Sequence, residues 1–299
     1  MKQFVLLLVF VFSFLGCKNL ESNTDIDNKS KLIEVFKASS SDYPNISVHR
    51  GGKGLKNYPE NCLETITYVN DSITAIYEID IAQTKDGQLI LMHDNSLDRT
   101  TNGSGLVKNK TYNQIKRLNL VDDFGNKTNF RIPLFSEVLE WSRENNVLLT
   151  VDIKRSVSQK AVIDAIKKAN AEDVCIIITY DVAQAQSAYN LNPNLLLSVS
   201  ARNHKEFDRL LETNIPTENM LAFTGTRLSN ASLYKRLKEK NMLCILGTLG
   251  NLDRQAEARG DSLYKNWYSK GVNILATDRP FEAFNAINKK EILKKIQLK

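Results

Sequence analysis

Histidine, cysteine and proline are scarce in this chain of 299 residues, at three, four and six, with thirteen glycines. Each scarcity removes a class of protein. Four cysteines do not build the disulfide framework of a miniprotein, and glycine and proline are too few for collagen or low complexity. A general surplus of one charge is missing too. Of the formal net charge of +6, four units sit in the tail Asn288–Lys299, where five lysines meet one glutamate. The rest of the chain is almost neutral, which favours a solvated, surface-seeking basic helix end over a DNA groove and gives no nucleic-acid partner. What remains is 42% hydrophobic, 25% charged and 8% aromatic, the usage of an ordinary folded protein with a sizeable core.

Met1-Lys2 leads into an apolar run from Phe4 to Leu15, broken only by Ser13 and ending Leu15-Gly16-Cys17. The run is too short for a mature membrane helix, and its flanks fit a secretory signal. Glycine just before cysteine resembles the cleavage site of a bacterial lipoprotein, in which Cys17 is lipidated and becomes the first mature residue. The expected organisation is a signal peptide over 1–16, an anchor, polar tether and leading helix over 17–44, one domain over 45–287 and a basic tail over 288–299. The expected location is the membrane, facing the periplasm or cell surface through the anchor at Cys17. Cys62, Cys175 and Cys244 fall inside apolar patterns and read as free core thiols.

From residue 45 two periodicities alternate. Short apolar, β-branched runs fall at Ile46–His49, Ile76–Ile81, Leu148–Ile153, Val174–Thr179, Leu195–Val199, Met220–Phe223, Met242–Leu246 and Asn273–Ala276. Amphipathic helical stretches are expected at Glu60–Val69, Leu134–Glu144, Gln159–Ala169, Ala183–Tyr189, Lys205–Glu212, Ala231–Lys240 and Ser262–Lys270, with a last one after Pro280. Eight such units predict a (βα)8 barrel of the α/β class, with the polar stretch Asn95–Arg131 as an insertion between the second and third units. An open doubly wound sheet is disfavoured, since Gly51-Gly52-Lys53-Gly54 has the wrong spacing for a dinucleotide or phosphate loop.

Chemistry in such a barrel sits where the strands end. There the sequence places His49 and Arg50, then Glu78 and Asp80, then His93 after a Lys85-Asp86-Gly87 turn, then Asp152 and Lys154. Residues two apart on a strand share a face, so Glu78 and Asp80 point one way, as do Asp152 and Lys154. Crowded carboxylates repel, and a divalent cation relieves them; oxygen donors alone select Ca²⁺ or Mg²⁺ over zinc. A cation, two imidazoles and two cationic side chains suit a phosphodiester. Two of the three histidines lie in this set. The third, His204, reads as a solvated helix start.

The ordered motifs His49-Arg50-Gly51, Pro59-Glu60-Asn61, Glu78-x-Asp80, Thr84-Lys85-Asp86-Gly87, His93-Asp94, Leu97-Asp98-Arg99-Thr100-Thr101, Ile132-Pro133-Leu134, Asp152-x-Lys154 and Thr277-Asp278-x-Pro280 resemble the glycerophosphodiester phosphodiesterase family. The resemblance implies a TIM barrel that hydrolyses glycerophosphodiesters to sn-glycerol 3-phosphate and an alcohol with one divalent cation. By position it implies Glu78, Asp80 and Asp152 as metal ligands and His49 and His93 as the acid/base pair. Arg50, Lys154 and Glu60 would form the substrate-binding set, Glu60 by holding Arg50. Asp152 stands where the family more often has glutamate, a trait shared with sphingomyelinase D-like relatives; those lack the Asp98–Gly105 stretch. Leu246–Asn251 replaces a segment that usually offers a tryptophan over the substrate, and Trp141 and Trp267 read as core anchors. The residues leave open which histidine is the base and whether water or a substrate hydroxyl attacks. Two rivals remain: a relative acting on intact or lyso-phospholipids, and a non-catalytic ligand-binding lipoprotein.

Overall fold

A computed structural model describes residues 29–297; the segment 1–16, Cys17 and the tether to residue 28 lie outside the described residues. The strands, in chain order, are β1 (Ile46–Val48), β2 (Ile76–Gln83), β3 (Leu89–Leu91), β4 (Leu148–Ile153), β5 (Cys175–Thr179), β6 (Leu196–Ser200), β7 (Met220–Phe223), β8 (Cys244–Gly247) and β9 (Ile274–Thr277). Eight of them pair in parallel, β1-β2-β4-β5-β6-β7-β8-β9, and β9 pairs back onto β1, which closes the ring. β3 is antiparallel and sits on the far half of β2, pairing Ile81 with Leu91. β1 is short and covers only Ile76 and Tyr77 of that edge, so the rest is open to β3. The Lys85-Asp86-Gly87 turn makes this hairpin, with Gly87 at a φ of 81° and the Thr84 hydroxyl donating to Asp86 Oδ1 at 2.6 Å.

The helices are α1 (Leu32–Val35), α2 (Leu63–Asn70), α3 (Tyr112–Ile115), α4 (Phe135–Asn145), α5 (Gln159–Lys168), α6 (Val182–Leu191), α7 (His204–Leu211), α8 (Ala231–Glu239), α9 (Asn251–Arg259), α10 (Ser262–Tyr268) and α11 (Pro280–Gln297). Side chains of Ser158, Asp181, Asn203 and Asn230 accept backbone N–H groups at the starts of α5 to α8. Asparagine also takes over work that glycine usually does. Asn146, Asn170 and Asn241 adopt left-handed conformations just past α4, α5 and α8 and turn the chain towards the next strand. Among the described residues no helix is long and apolar enough to cross a membrane.

Strand residues alternate between two cores. Val48, Ile79, Leu149, Val151, Ile177, Leu197 and Leu275 face the helices. Ile76, Ile176, Leu196, Leu221, Leu243 and Ile274 fill the barrel interior, where Leu32 and Ile33 of α1 and Phe36 just past it plug the floor. Each plug side chain contributes roughly 1.5–3 kcal/mol of apolar burial as an upper estimate. Trp267 is buried, Trp141 packs on the outer core at its edge, and Cys62, Cys175 and Cys244 are free and buried.

Three expectations need correction. α9 was not foreseen, because its polar face dominates: only Leu252, Asp253 and Ala256 are buried. The stretch Glu60–Cys62 is not helical, since Asn61 is left-handed at a φ of 53°. Asn95–Arg131, read simply as polar, has a small core of its own: Leu97, Val107, Ile115 and Leu120 pack with Cys62, Ile90, Met92 and Ile132. Leu106 and Phe124 are its exposed large apolar side chains.

Candidate active site

The carboxyl ends of the strands surround a cavity of about 270 Å³. One side is charged and carries His49, Glu78, Asp80, His93 and Asp152. The other is built from Ile178, Phe223, Ile245 and Leu249 with the hydroxyls of Ser198, Ser200 and Thr226. Every expected site residue belongs to the charged side or contacts it, Glu60 through Arg50.

The charged side starts from an unusual turn. After β1, Arg50, Gly51 and Gly52 adopt φ values of 51°, 65° and 137°. The glycines permit this, because a Cβ on Gly52 would lie 2.5 Å from Thr65 Cγ2 of α2. The turn aims the Arg50 N–H at Glu78 Oε2, 2.7 Å away. Asn61 clamps the next acid: its Nδ2 donates to Asp80 Oδ2 at 2.7 Å, and its Oδ1 accepts the Asp80 N–H at 2.9 Å. Asp80 and Asp152 are directly opposed across β2 and β4. Lys154 Nζ donates to Asp80 Oδ1 at 2.6 Å and lies 3.6 Å from Asp152 Oδ2.

Oxygens of Glu78, Asp80 and Asp152 come within 4.8 Å of one another, a group that can hold a metal ion. Burial, and then Asp80, push the Glu78 carboxyl well above its ordinary range. Burial likewise raises Asp152, with Lys154 offsetting only part of it. Burial acts on Asp80 in the same sense, but the Lys154 ammonium and the Asn61 amide more than reverse it. One lysine therefore does not neutralise three acids, and the donor set fits a hard divalent cation.

Each histidine rests on a carboxylate. His49 Nδ1 lies 2.6 Å from Asp278 Oδ1, just past β9, and His93 Nδ1 lies 2.7 Å from Asp94 Oδ1. These contacts orient the rings. Arg50 Nη2 donates to His93 Nε2 at 2.6 Å, so in this arrangement the His93 ring proton is on Nδ1. Glu60 is 4% exposed and holds two arginines. Arg50 Nη1 reaches both its oxygens at 3.1 Å, and Arg99 bonds it at 2.7 and 3.0 Å. Arg50 Nε is buried without a partner, 3.9 Å from Asp80 Oδ2.

Reasoning from sequence missed four side chains here. Asp278 lies where the strand-end rule, applied to β9, would have found it. Asp94 and Arg99, like Asp278, belong to the ordered motifs, but the sequence alone assigns them no role; Arg99 Nε donates to Asp94 Oδ2 at 2.7 Å. Tyr180, just past β5, lines the cavity together with Asp152, whose charge helps to raise the Tyr180 hydroxyl above its ordinary range after burial. His204 is not simply solvated: Nε2 meets Ser232 Oγ and Nδ1 meets Arg236 Nη1, both at 2.9 Å, on the outer surface between α7 and α8.

A closed βα barrel with a carboxylate cluster flanked by two histidine–aspartate pairs defines the class of protein. Residues 49–257 match the model of the glycerophosphoryl diester phosphodiesterase family, and the chain belongs to that family. A glycerophosphoryl diester phosphodiesterase from Parabacteroides distasonis superposes with a TM-score of 0.78 at 30% identity, covering 87% of this chain and 91% of that one. A glycerophosphodiester phosphodiesterase of Caldanaerobacter subterraneus is 32% identical over 160 residues, 52% of this chain and 65% of that enzyme, so the chain spans just under two thirds of it. An Oleispira antarctica phosphodiesterase, solved with the product sn-glycerol-3-phosphate, shares the fold at a TM-score of 0.66 and 19% identity, covering 82% of this chain and 97% of that one.

Proposed function

We propose that this protein is a phosphoric diester hydrolase that cleaves glycerophosphodiesters to sn-glycerol 3-phosphate and an alcohol, with His49 and His93 as the acid/base pair. The observation that carries the reading is the pairing of each imidazole with its own carboxylate on either side of the Glu78-Asp80-Asp152 cluster. Glu78, Asp80 and Asp152 would hold one divalent cation, Ca²⁺ or Mg²⁺, which supplies charge stabilisation to the phosphoryl oxygens. Arg50 and Lys154 bring the positive charge that a phosphodiester anion meets on entry. Glu60 keeps the Arg50 fork in place, and the unpartnered Arg50 Nε gains an acceptor when a phosphate oxygen arrives. One imidazole takes the proton of the attacking oxygen, from water or a substrate hydroxyl. The other donates a proton to the departing alkoxide as the P–O bond breaks.

The deciding experiment incubates purified protein with several glycerophosphodiesters and with lysophospholipids, with and without chelator, and assays glycerol 3-phosphate. Release from the glycerophosphodiesters that stops on chelation is expected. Turnover of the lysophospholipids alone would move the protein to the lipid-cleaving rival, and no turnover of either would favour the binding protein. From the Leu15-Gly16-Cys17 pattern we further propose an exported lipoprotein held at the membrane by Cys17, so Cys17→Ser should release it to the soluble fraction.

A further inference from the structure

A buried carboxylate outside the pocket contacts no substrate-facing group, and the mechanism above leaves it without a task. Asp253, on α9, is 3% exposed. Its Oδ1 accepts the Tyr264 hydroxyl and the Thr277 hydroxyl, both at 2.9 Å, and its Oδ2 accepts the Asp278 N–H at 2.7 Å. The Thr277 oxygen in turn accepts the Arg279 N–H at 2.9 Å. The Asp253 N–H closes the unit by donating to the Thr248 carbonyl at 2.8 Å. Three hydrogen bonds converge on the acid, and among the described residues no salt bridge reaches it. Burial pushes its carboxyl upward, and those donors hold it back.

We propose that Asp253 is a positioning residue for His49, acting through the peptide that carries Asp278. The inference rests on the catalytic reading of His49. Asp278 follows the last residue of β9, and one hydrogen bond from its own N–H fixes its main chain against α9. Its carboxylate must meet His49 Nδ1 at 2.6 Å across the closing pair of strands. A shift of a few tenths of an ångström in that peptide lengthens the contact and frees the imidazole to change tautomer. The acid is out of reach of any ligand in the cavity, so its influence passes through geometry alone. It also gives α9 a purpose. The Leu246–Asn251 segment leads into a helix whose inward acid braces the histidine from behind, and only Leu249 of that segment lines the cavity.

The test compares Asp253→Ala, Asp253→Asn and Tyr264→Phe in the full-length protein, reading kcat, KM and the ring-nitrogen NMR spectrum of the three histidines. Asp253→Ala should lower kcat about 10–100-fold with KM within about twofold, as loss of an outer supporting partner does. It should also move His49 towards a tautomer mixture, while His93 and His204 stay where they are. Asp253→Asn keeps an acceptor for the Asp278 N–H and should recover most of the loss. Should both Asp253 variants fail to fold, Tyr264→Phe decides; it removes one donor while the ring stays packed on Trp267, and a fall of about 2–10-fold is expected. A folded Asp253→Ala, or in its place Tyr264→Phe, with wild-type kcat and an unmoved His49 spectrum would overturn the proposal. The spectrum answers even if the wild type proves inert on glycerophosphodiesters, so the two failures are distinct.

Discussion

The two histidines share one device and differ in what stands behind it. On the β1–β9 side the chain of contacts runs inward, from His49 to Asp278 to Asp253, with side chains 16% and 23% exposed for the first two and the third buried. Hydroxyls and a peptide N–H do the holding. On the β3 side it runs outward, from His93 to Asp94 to Arg99, at 33%, 28% and 39% exposed. There the holding is by charge, and Arg99 also ties Glu60 and Asp123. Neutral donors in a dry site fix geometry and are insensitive to salt. An exposed ionic lattice is screened and can rearrange. Arg50 belongs to the second lattice through Glu60 and His93. The first is a rigid arm and the second an adaptable one.

Removing what both arms share should have the largest effect. Chelation, or Asp80→Ala, is expected to abolish turnover, and added Ca²⁺ or Mg²⁺ should raise the wild-type melting temperature, as a ligand of the folded state does. In Glu78→Gln/Asp152→Asn that thermal shift should vanish; a persisting shift would place the ion elsewhere.

The histidines come next. His49→Ala and His93→Ala should each lower kcat about 10²–10⁴-fold. The double variant should lose far less than the product of the two. A p-nitrophenyl leaving group departs with little protonation, so it should rescue only the variant that lacks the general acid. Rescue of both, or of neither, contradicts the division of labour.

Arg99→Gln and Asp278→Asn separate the arms directly. Asp278→Asn should cost kcat at any ionic strength, while Arg99→Gln should cost less and abolish the salt dependence of the wild-type rate. Steady-state kinetics from low to high salt tests both, and equal salt responses would show that the arms do not differ.

Acid stability offers a smaller contrast. Hydrogen bonds from Arg99, and then His93, hold Asp94 far below its ordinary range; burial raises Asp278, but the contact with His49 more than reverses it. Carboxyls lowered by folding add stability above their unfolded value of about 4, and that stability is lost as pH falls through the folded values. Melting temperature should therefore drop below about pH 4, and Asp94→Asn should flatten part of the drop. The smallest effect is expected from His204→Ala. It should leave kcat unchanged and cost about 0.5–1.5 kcal/mol in denaturant unfolding, for lost contacts to Ser232 and Arg236.

The barrel was legible because its strands are buried on both faces, and runs such as Val174–Ile177 and Leu195–Val199 carry that signal without interruption. The site was legible for a similar reason: Glu78, Asp80, Asp152 and Lys154 are charges at the ends of otherwise apolar runs. Asp278 and Tyr180 obey the same rule one residue past β9 and β5, as His49 and Lys154 do past β1 and β4, but each stands alone there, without a second charge two positions away to mark it. α9 buries three residues and so leaves a faint periodic trace. The supporting roles of Arg99 and Asp253 lie in contacts between elements far apart in the chain, which spacing along the sequence does not encode.

The His49–Asp278 contact joins residues 229 positions apart, across the seam where the last strand meets the first. Such a pair forms late, because nearly the entire chain must already be ordered to bring its ends together. A nascent or partly folded chain can therefore hold its carboxylate cluster and its His93 lattice and still lack a fixed His49. Turnover then becomes a clock for ring closure. In a refolding experiment, the appearance of catalysis should coincide with the slowest burial phase and never precede it.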